Sequence, residues 1–260
     1  MFETCLILAG GRGSRLGKLT AKTPKPLVKV GETQFIYYLI EHLISHGISN
    51  IILLTGYKSE QFDSVKSYYS TRRGVSIRCK ATNEDWNTLQ RVYNSIEDIS
   101  GDTLVCYGDV YTDVDITDYY KFFKSCGSKQ ASISALSRHI KISASELYNE
   151  EHQAKLIYKD VGFHAFEARW LKDKLVQAKD VKFEKWFWDN SDQHTVYNDD
   201  WIYGSLTDEY SLRELKGQFT EKATLIMDRD GVINKSGEKG SFVDSLEKLE
   251  LQESVKNLII

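Results

Sequence analysis

Gly10, Gly11, Gly13, Arg15 and a proline-flanked Lys25 share one stretch near the amino end: Leu8-Ala-Gly-Gly-Arg-Gly-Ser-Arg-Leu-Gly-Lys-Leu-Thr-Ala-Lys-Thr-Pro-Lys-Pro26. The glycines free the backbone so that several N–H groups can face one anion. Arg15 offers phosphate oxygens a planar fork of donors. Pro24 and Pro26, the two prolines of the chain, fix the backbone around Lys25, so that its ammonium is held in place. A nucleoside triphosphate attacked at its α-phosphorus needs such fixed positive charge in the transition state. The pattern is not a P-loop, because no Gly-Lys-Ser/Thr follows, and it is not the dinucleotide fingerprint GxGxxG. A glycine-rich turn with surface cations is the bland alternative, and it would be favoured had only a lone GxG been present.

The elements around this loop set where it sits. Cys5–Leu8 is an apolar run and reads as a buried first strand. Helical spacing of Phe35, Leu39, Leu43 and Ile44 predicts a helix over Gln34–His46, stopped at Gly47. Asn50–Thr55 reads as a second buried strand, Ser59–Tyr69 as a helix, Val75–Cys79 as a third strand, Asn87–Ile99 as a helix and Thr103–Tyr107 as a fourth strand leading into Gly108-Asp109. Further strands are expected within residues 131–170, notably Ala131–Leu136 and Leu156–Phe166. The tryptophan-rich Trp186–Trp201 segment reads as a lid or wall. Alternating strands and helices imply an α/β fold, a Rossmann-like, mostly parallel (mixed) sheet flanked by helices. Ligands of such sheets collect at the carboxyl ends of strands, where the glycine loop and Asp109 both fall.

The Gly-Gly-x-Gly-x-Arg loop (Gly10–Arg15), followed by Thr-Pro-Lys-Pro (Thr23–Pro26), resembles the sugar-1-phosphate nucleotidyltransferases over roughly residues 3–215. The resemblance implies their GT-A-like fold and in-line attack of a sugar-1-phosphate oxygen on an NTP, with pyrophosphate leaving. It assigns catalysis to Arg15, Lys25 and Asp109, and nucleotide binding to Leu8, Ala9, Gly10, Gly11, Gly13, Asn83, Thr88 and Gly108. Asp109 would hold Mg2+ against the phosphates; on its own, a strand-end Asp is as readily a cap for the next element. The second metal ligand would be Asp199 or Asp200, with Asp200 preferred, from a shifted loop in which Ile202 stands where the family has Asp. Asn87, Leu89 and Gln90 replace glycines of the family's base-recognition turn, which leaves the base open. Lys159, Gly162 and Glu184 align with sugar-phosphate-binding positions, each with an ordinary alternative as surface lysine, strand glycine or helix-face glutamate.

Residues 1–220 are thus expected to form the nucleotidyltransferase domain. At Thr224–Asn234 the sequence Thr-Leu-Ile-Met-Asp-Arg-Asp-Gly-Val-Ile-Asn resembles the first motif of haloacid-dehalogenase-type phosphatases, closest to heptose bisphosphate phosphatases. By that resemblance Asp228 would be the nucleophile and Asp230 the acid/base. Residues 221–260 are too short for the remaining groups of such a site. They are therefore read as the start of a phosphatase domain whose remainder is missing, or as a decayed tail, with no phosphatase activity of their own; a chance Asp-x-Asp turn is the bland alternative. A bisphosphatase partner would supply heptose 1-phosphate, so GTP and heptose 1-phosphate are the expected substrates, giving GDP-heptose for polysaccharide synthesis. CTP with a phosphocholine-like acceptor is the alternative within the class. A nucleotide-sensing subunit without turnover is the alternative outside it.

A net charge of −3 over 260 residues argues against coating nucleic acid. No apolar run is long enough for a membrane span and no signal peptide opens the chain. Cys5, Cys79, Cys106 and Cys126 form no CxxC pair and read as reduced thiols. A cytoplasmic protein is expected, its tryptophans packed within the chain or against a second copy.

Overall fold

The computed structural model describes residues 1–72, 74–136, 158–178, 181–199, 203–208, 211–213 and 215–216. The tail motif with Asp228 and Asp230, the domain read over 221–260, and Asp200, Trp201 and Ile202 lie outside the described residues. Seven strands form the main sheet: β1 (Thr4–Ala9), β4 (Asn50–Thr55), β5 (Ser76–Ala81), β6 (Thr103–Tyr107), β8 (Gln130–Leu136), β9 (Tyr158–Phe166) and β10 (His194–Asp199). Their order is β10-β8-β9-β6-β1-β4-β5. Every pairing is parallel except the two that β9 makes, with β6 and with β8. The mixed sheet is therefore as expected, with one strand reversed.

Helices cover both faces, which is why the central strands are apolar without alternation. One core takes Cys5, Ile7, Ile51, Leu53, Leu104 and Cys106 from the strands. It packs them on α1 (Phe35–Ser45), α2 (Asp63–Tyr69) and α4 (Ile116–Ser125). The opposite core takes Leu6, Ile52, Leu54 and Val105 and packs them on α3 (Thr88–Tyr93), α5 (Ala168–Val176) and α6 (Phe183–Asp189). Each fully buried aliphatic contributes about 1.5–3 kcal/mol. Two short ribbons complete the fold: β2 (Lys29–Val30) with β3 (Thr33–Gln34), and β7 (Val110–Thr112) with β11 (Tyr203–Ser205).

Four expectations change. Ile116–Ser125 is a helix that the sequence reading left unassigned. Asp115 caps it by accepting the amides of Thr117 (2.8 Å) and Asp118 (3.0 Å), and it buries Ile116, Tyr119 and Phe123. Within 131–170, the strand reading holds for 131–136 and 158–166, but Ala168 onward turns into α5. The lid expected from Trp186 onward resolves into α6, whose Phe183, Trp186 and Phe187 are core, and β10, an edge strand of the main sheet. Asn87–Ile99 is also shorter as a helix than expected, ending at Tyr93 before a 3-10 turn over Ile96–Asp98. The four cysteines are free thiols, with Cys5 and Cys106 buried side by side, sulfurs 3.9 Å apart.

Candidate active site

The carboxyl ends of β1 and β6 lie side by side, and the chain leaves both in the same direction. The register pairs Leu8 with Tyr107, and the Gly108 amide donates to the Leu8 carbonyl at 3.0 Å. Gly108 is buried, and a methyl there would stand 3.0 Å from that carbonyl and 3.2 Å from Pro26 Cγ. Pro26 therefore packs directly over the turn that launches Asp109. Leu27 and Val28 amides close onto the Pro24 and Lys25 carbonyls (2.9 and 3.1 Å), making Lys25–Leu27 a 3-10 turn. Gly13 stands in the left-handed region (φ 63°), against the Lys25 stem, where a β-carbon would be 2.9 Å from Lys25 Cβ. Only a residue without a side chain lets the loop turn there and lie on the lysine.

These supports bring Lys25 Nζ into an ion pair with Asp109 Oδ2. The two side chains retain 17% and 27% of their exposure, so the pair is half-buried and open to exchange partners. The Asp109 carbonyl accepts the Leu206 amide at 2.8 Å, so the residue is also held by the segment after β11.

Around the pair opens a cleft of about 410 Å³. Its floor is Leu8, Ala9, Gly10, Gly11 and Gly13; Lys25, Pro26 and Asp109 form one side. A second wall comes from the segment after β5: Glu84, Trp86, Asn87, Thr88 and Arg91. The third comes from Tyr107 with Lys182, Phe183 and Glu184 at the start of α6. Tyr107 donates to Glu184 Oε1 at 2.7 Å. Burial, reinforced by that carboxylate, pushes the Tyr107 hydroxyl far above its ordinary pKa, so it stays a donor.

The structure thus gathers Leu8, Ala9, Gly10, Gly11, Gly13, Lys25, Thr88, Asp109 and Glu184 around one cleft. It places other predicted positions elsewhere. Arg15 is exposed in the 3-10 turn Ser14–Leu19 and does not line the cleft. Asn83 is exposed and accepts the Asp85 amide (2.9 Å), building the turn rather than the wall. Gly162 (φ 79°) lies on β9 beneath Tyr107, where a β-carbon would stand 2.6 Å from Cδ2. It supports the wall from behind. Lys159 pairs with Ala135 in the β8–β9 register, at the same carboxyl edge of the sheet as Asp109.

Sequence reasoning missed Arg91, Tyr107, Trp86 and Glu84. Arg91 is buried, 4% exposed, with Nη1 donating to the Thr55 carbonyl (3.2 Å) and to Thr82 Oγ1, and Nη2 to the carbonyls of Glu84 (3.0 Å) and Trp86 (2.9 Å). The available signal was an arginine set among the apolar helical positions Leu89 and Val92. Asn87 and Gln90, which stand in for glycines, form a capping box at the start of α3: Gln90 N to Asn87 Oδ1 at 2.9 Å and Asn87 N to Gln90 Oε1 at 2.8 Å. The glycines' place is taken by a helix start.

Among the described residues no cluster of three or more His, Cys, Asp or Glu could hold a metal by protein ligands alone, and no helix is long and apolar enough to cross a membrane.

The profile of the nucleotidyl transferase family matches residues 4–143. A choline-phosphate cytidylyltransferase of Streptococcus pneumoniae is 37% identical over 100 residues, 38% of this chain and 42% of that protein. A D-glycero-alpha-D-manno-heptose 1-phosphate guanylyltransferase of Campylobacter jejuni is 26% identical over 113 residues, 43% of this chain and 50% of that protein. The chain spans half or less of the length of these curated relatives. Among solved structures, HddC from Yersinia pseudotuberculosis complexed with GMP-PN shares the fold at a TM-score of 0.62, with 20% identity, over 85% of this chain and 100% of that one.

Proposed function

Because the chain belongs to the nucleotidyl transferase family, we propose that it transfers a nucleoside monophosphate from an NTP to a phosphate-bearing acceptor, releasing pyrophosphate. A sugar 1-phosphate is the favoured acceptor, with GTP and heptose 1-phosphate as the favoured pair. The observation that carries this reading is the braced Lys25 meeting Asp109 at the carboxyl edge of β1 and β6, on the rim of a glycine floor.

The triphosphate would lie over Gly10, Gly11 and Gly13, whose backbone can approach it closely. Lys25, fixed by Pro24 and Pro26, would stabilise charge developing on the α-phosphoryl oxygens. Glu184, hydrogen-bonded to Tyr107, would accept hydrogen bonds from hydroxyls of the acceptor. Arg15 acts in this proposal only if its exposed turn folds inward on binding. The donor chemistry fits Mg2+, which needs one or two carboxylates and takes its other oxygens from phosphates and water. Asp109 would hold it, with Asp200 proposed as the second carboxylate; when bound it neutralises phosphate charge. Asp228 and Asp230 remain proposed as the nucleophile and acid/base motif of a phosphatase-like domain beginning near residue 221.

CTP with phosphocholine is a second reading, favoured by the cytidylyltransferase relative at 37% identity against 26% for the heptose enzyme. Pyrophosphate release from each NTP, crossed with heptose 1-phosphate, mannose 1-phosphate and phosphocholine, separates the two. Release with GTP and heptose 1-phosphate supports the first. Release with CTP and phosphocholine alone overturns the substrate assignment but keeps the chemistry.

A further inference from the structure

Arg91 is a buried cation for which the transfer chemistry has no stated use. Its acceptors are four uncharged oxygens: three carbonyls and the Thr82 hydroxyl. The nearby carboxylate of Glu84 is turned outward instead, 3.0 Å from Arg12 at the surface. A buried charge held only by neutral dipoles is expensive unless it organises something or meets an anion. Two glycines make its slot. A methyl at Gly10 or at Gly56 would overlap the guanidinium, and at Gly10 would also lie 2.7 Å from Nε. Gly10 is therefore glycine for two reasons: its backbone lines the cleft, and a side chain on it would overlap the arginine.

The four acceptors belong to three pieces of chain. Thr55 ends β4, Thr82 follows β5, and Glu84 and Trp86 form the turn leading into α3. A planar fork can serve all four at once, whereas the ammonium of a lysine cannot. Trp86 is 36% exposed and lines the cleft, so its backbone is fixed by Arg91 while its indole faces solvent at the rim.

We propose that Arg91 is a positioning residue for nucleotide binding: it ties the 82–86 wall to the end of β4, packs against Gly10 of the glycine floor, and so sets the width of the cleft between wall and floor. This rests on the cleft being the NTP site. The cation beside Gly10, itself on the cleft wall, also favours a polyanion in the cleft.

The test is calorimetric titration of GTP and CTP into wild type, Arg91→Lys and Thr82→Val, with steady-state pyrophosphate release on the NTP that binds. The expected result for Arg91→Lys is NTP affinity weakened at least about tenfold and KM raised in parallel, with kcat at saturation within about threefold of wild type. Thr82→Val, which removes one of four acceptors, should weaken affinity about two- to fivefold with kcat unchanged. Unaltered affinity in Arg91→Lys, or in Thr82→Val should the lysine variant fail to fold, overturns the proposal. So does a loss confined to kcat. A wild-type protein that binds neither nucleotide overturns the reading of the cleft itself, and the positioning role with it, an outcome distinct from wild-type binding that the variants share.

Discussion

Gly10 and Gly11 are adjacent and share one loop, yet the structure assigns opposite consequences to adding a methyl at each. At Gly10 the new β-carbon overlaps Arg91 Nη1 and Cζ, in a guanidinium fixed by four hydrogen bonds that cannot swing aside freely. Overpacking of this kind costs about 1–3 kcal/mol, and each hydrogen bond to a charged group that is lost adds about 1.5–3 kcal/mol. With one bond lost, Gly10→Ala should cost about 2.5–6 kcal/mol, which at about 2–4 °C per kcal/mol for a domain of this size lowers Tm by roughly 5–24 °C. At Gly11 a methyl meets nothing within 4 Å. Gly11→Ala should then sit within about 1 kcal/mol of wild type, or slightly above it through reduced freedom of the unfolded chain. Urea and thermal melts followed by circular dichroism measure both. An Arg91→Ala background should erase most of the Gly10→Ala penalty, a coupling of about 1 kcal/mol or more. Equal melting of the two alanine variants, or strict additivity in the cycle, would refute the reasoning.

Lys25→Met should slow pyrophosphate release by about 10²–10³-fold while tightening Mn2+ binding to the nucleotide-free protein severalfold, because Asp109 loses its competing cation; kinetics and metal titration check the two signs separately. Gly162→Ala places a β-carbon at positive φ and 2.6 Å from Tyr107, and should cost about 2–4 kcal/mol in a urea melt while raising KM through the displaced Tyr107–Glu184 pair. Burial first, and neighbouring histidines second, push His42 and His194 down to about 4. Their folded values lie below the unfolded value of about 6.5, so the folded chain binds fewer protons, and stability is full above that value and falls as pH drops from about 6.5 to about 4. The urea midpoint measured across that window should decline, and His42→Gln should flatten part of the slope.

What could be read from the sequence follows from how local the signal was. β1, β4 and β6 are buried on both faces, so each appears as an unbroken apolar run. The glycine loop and the Pro-Lys-Pro brace are contiguous, and their chemistry could be inferred before any contact was known. α4 and α5 were hidden because their buried residues, Ile116, Tyr119, Phe123, Leu171 and Leu175, are sparse and partly aromatic within polar segments. The Tyr107–Glu184 hydrogen bond joins residues 77 positions apart, and the Arg91 slot depends on Gly10 and Gly56 arriving from two different strands. No spacing rule reaches those. Arg15 shows the converse: its motif is intact in sequence, but its side chain stands outside the cleft.

The measurement that bears most directly on the central claim is the initial rate of pyrophosphate release by wild type and Asp109→Asn, side by side, on the same acceptor panel with Mg2+. Acceptor-dependent release is expected from wild type, with a loss of at least about a hundredfold in Asp109→Asn and an unchanged circular dichroism spectrum. Release by Asp109→Asn within threefold of wild type, or a folded wild type silent with every NTP and acceptor, would contradict that claim.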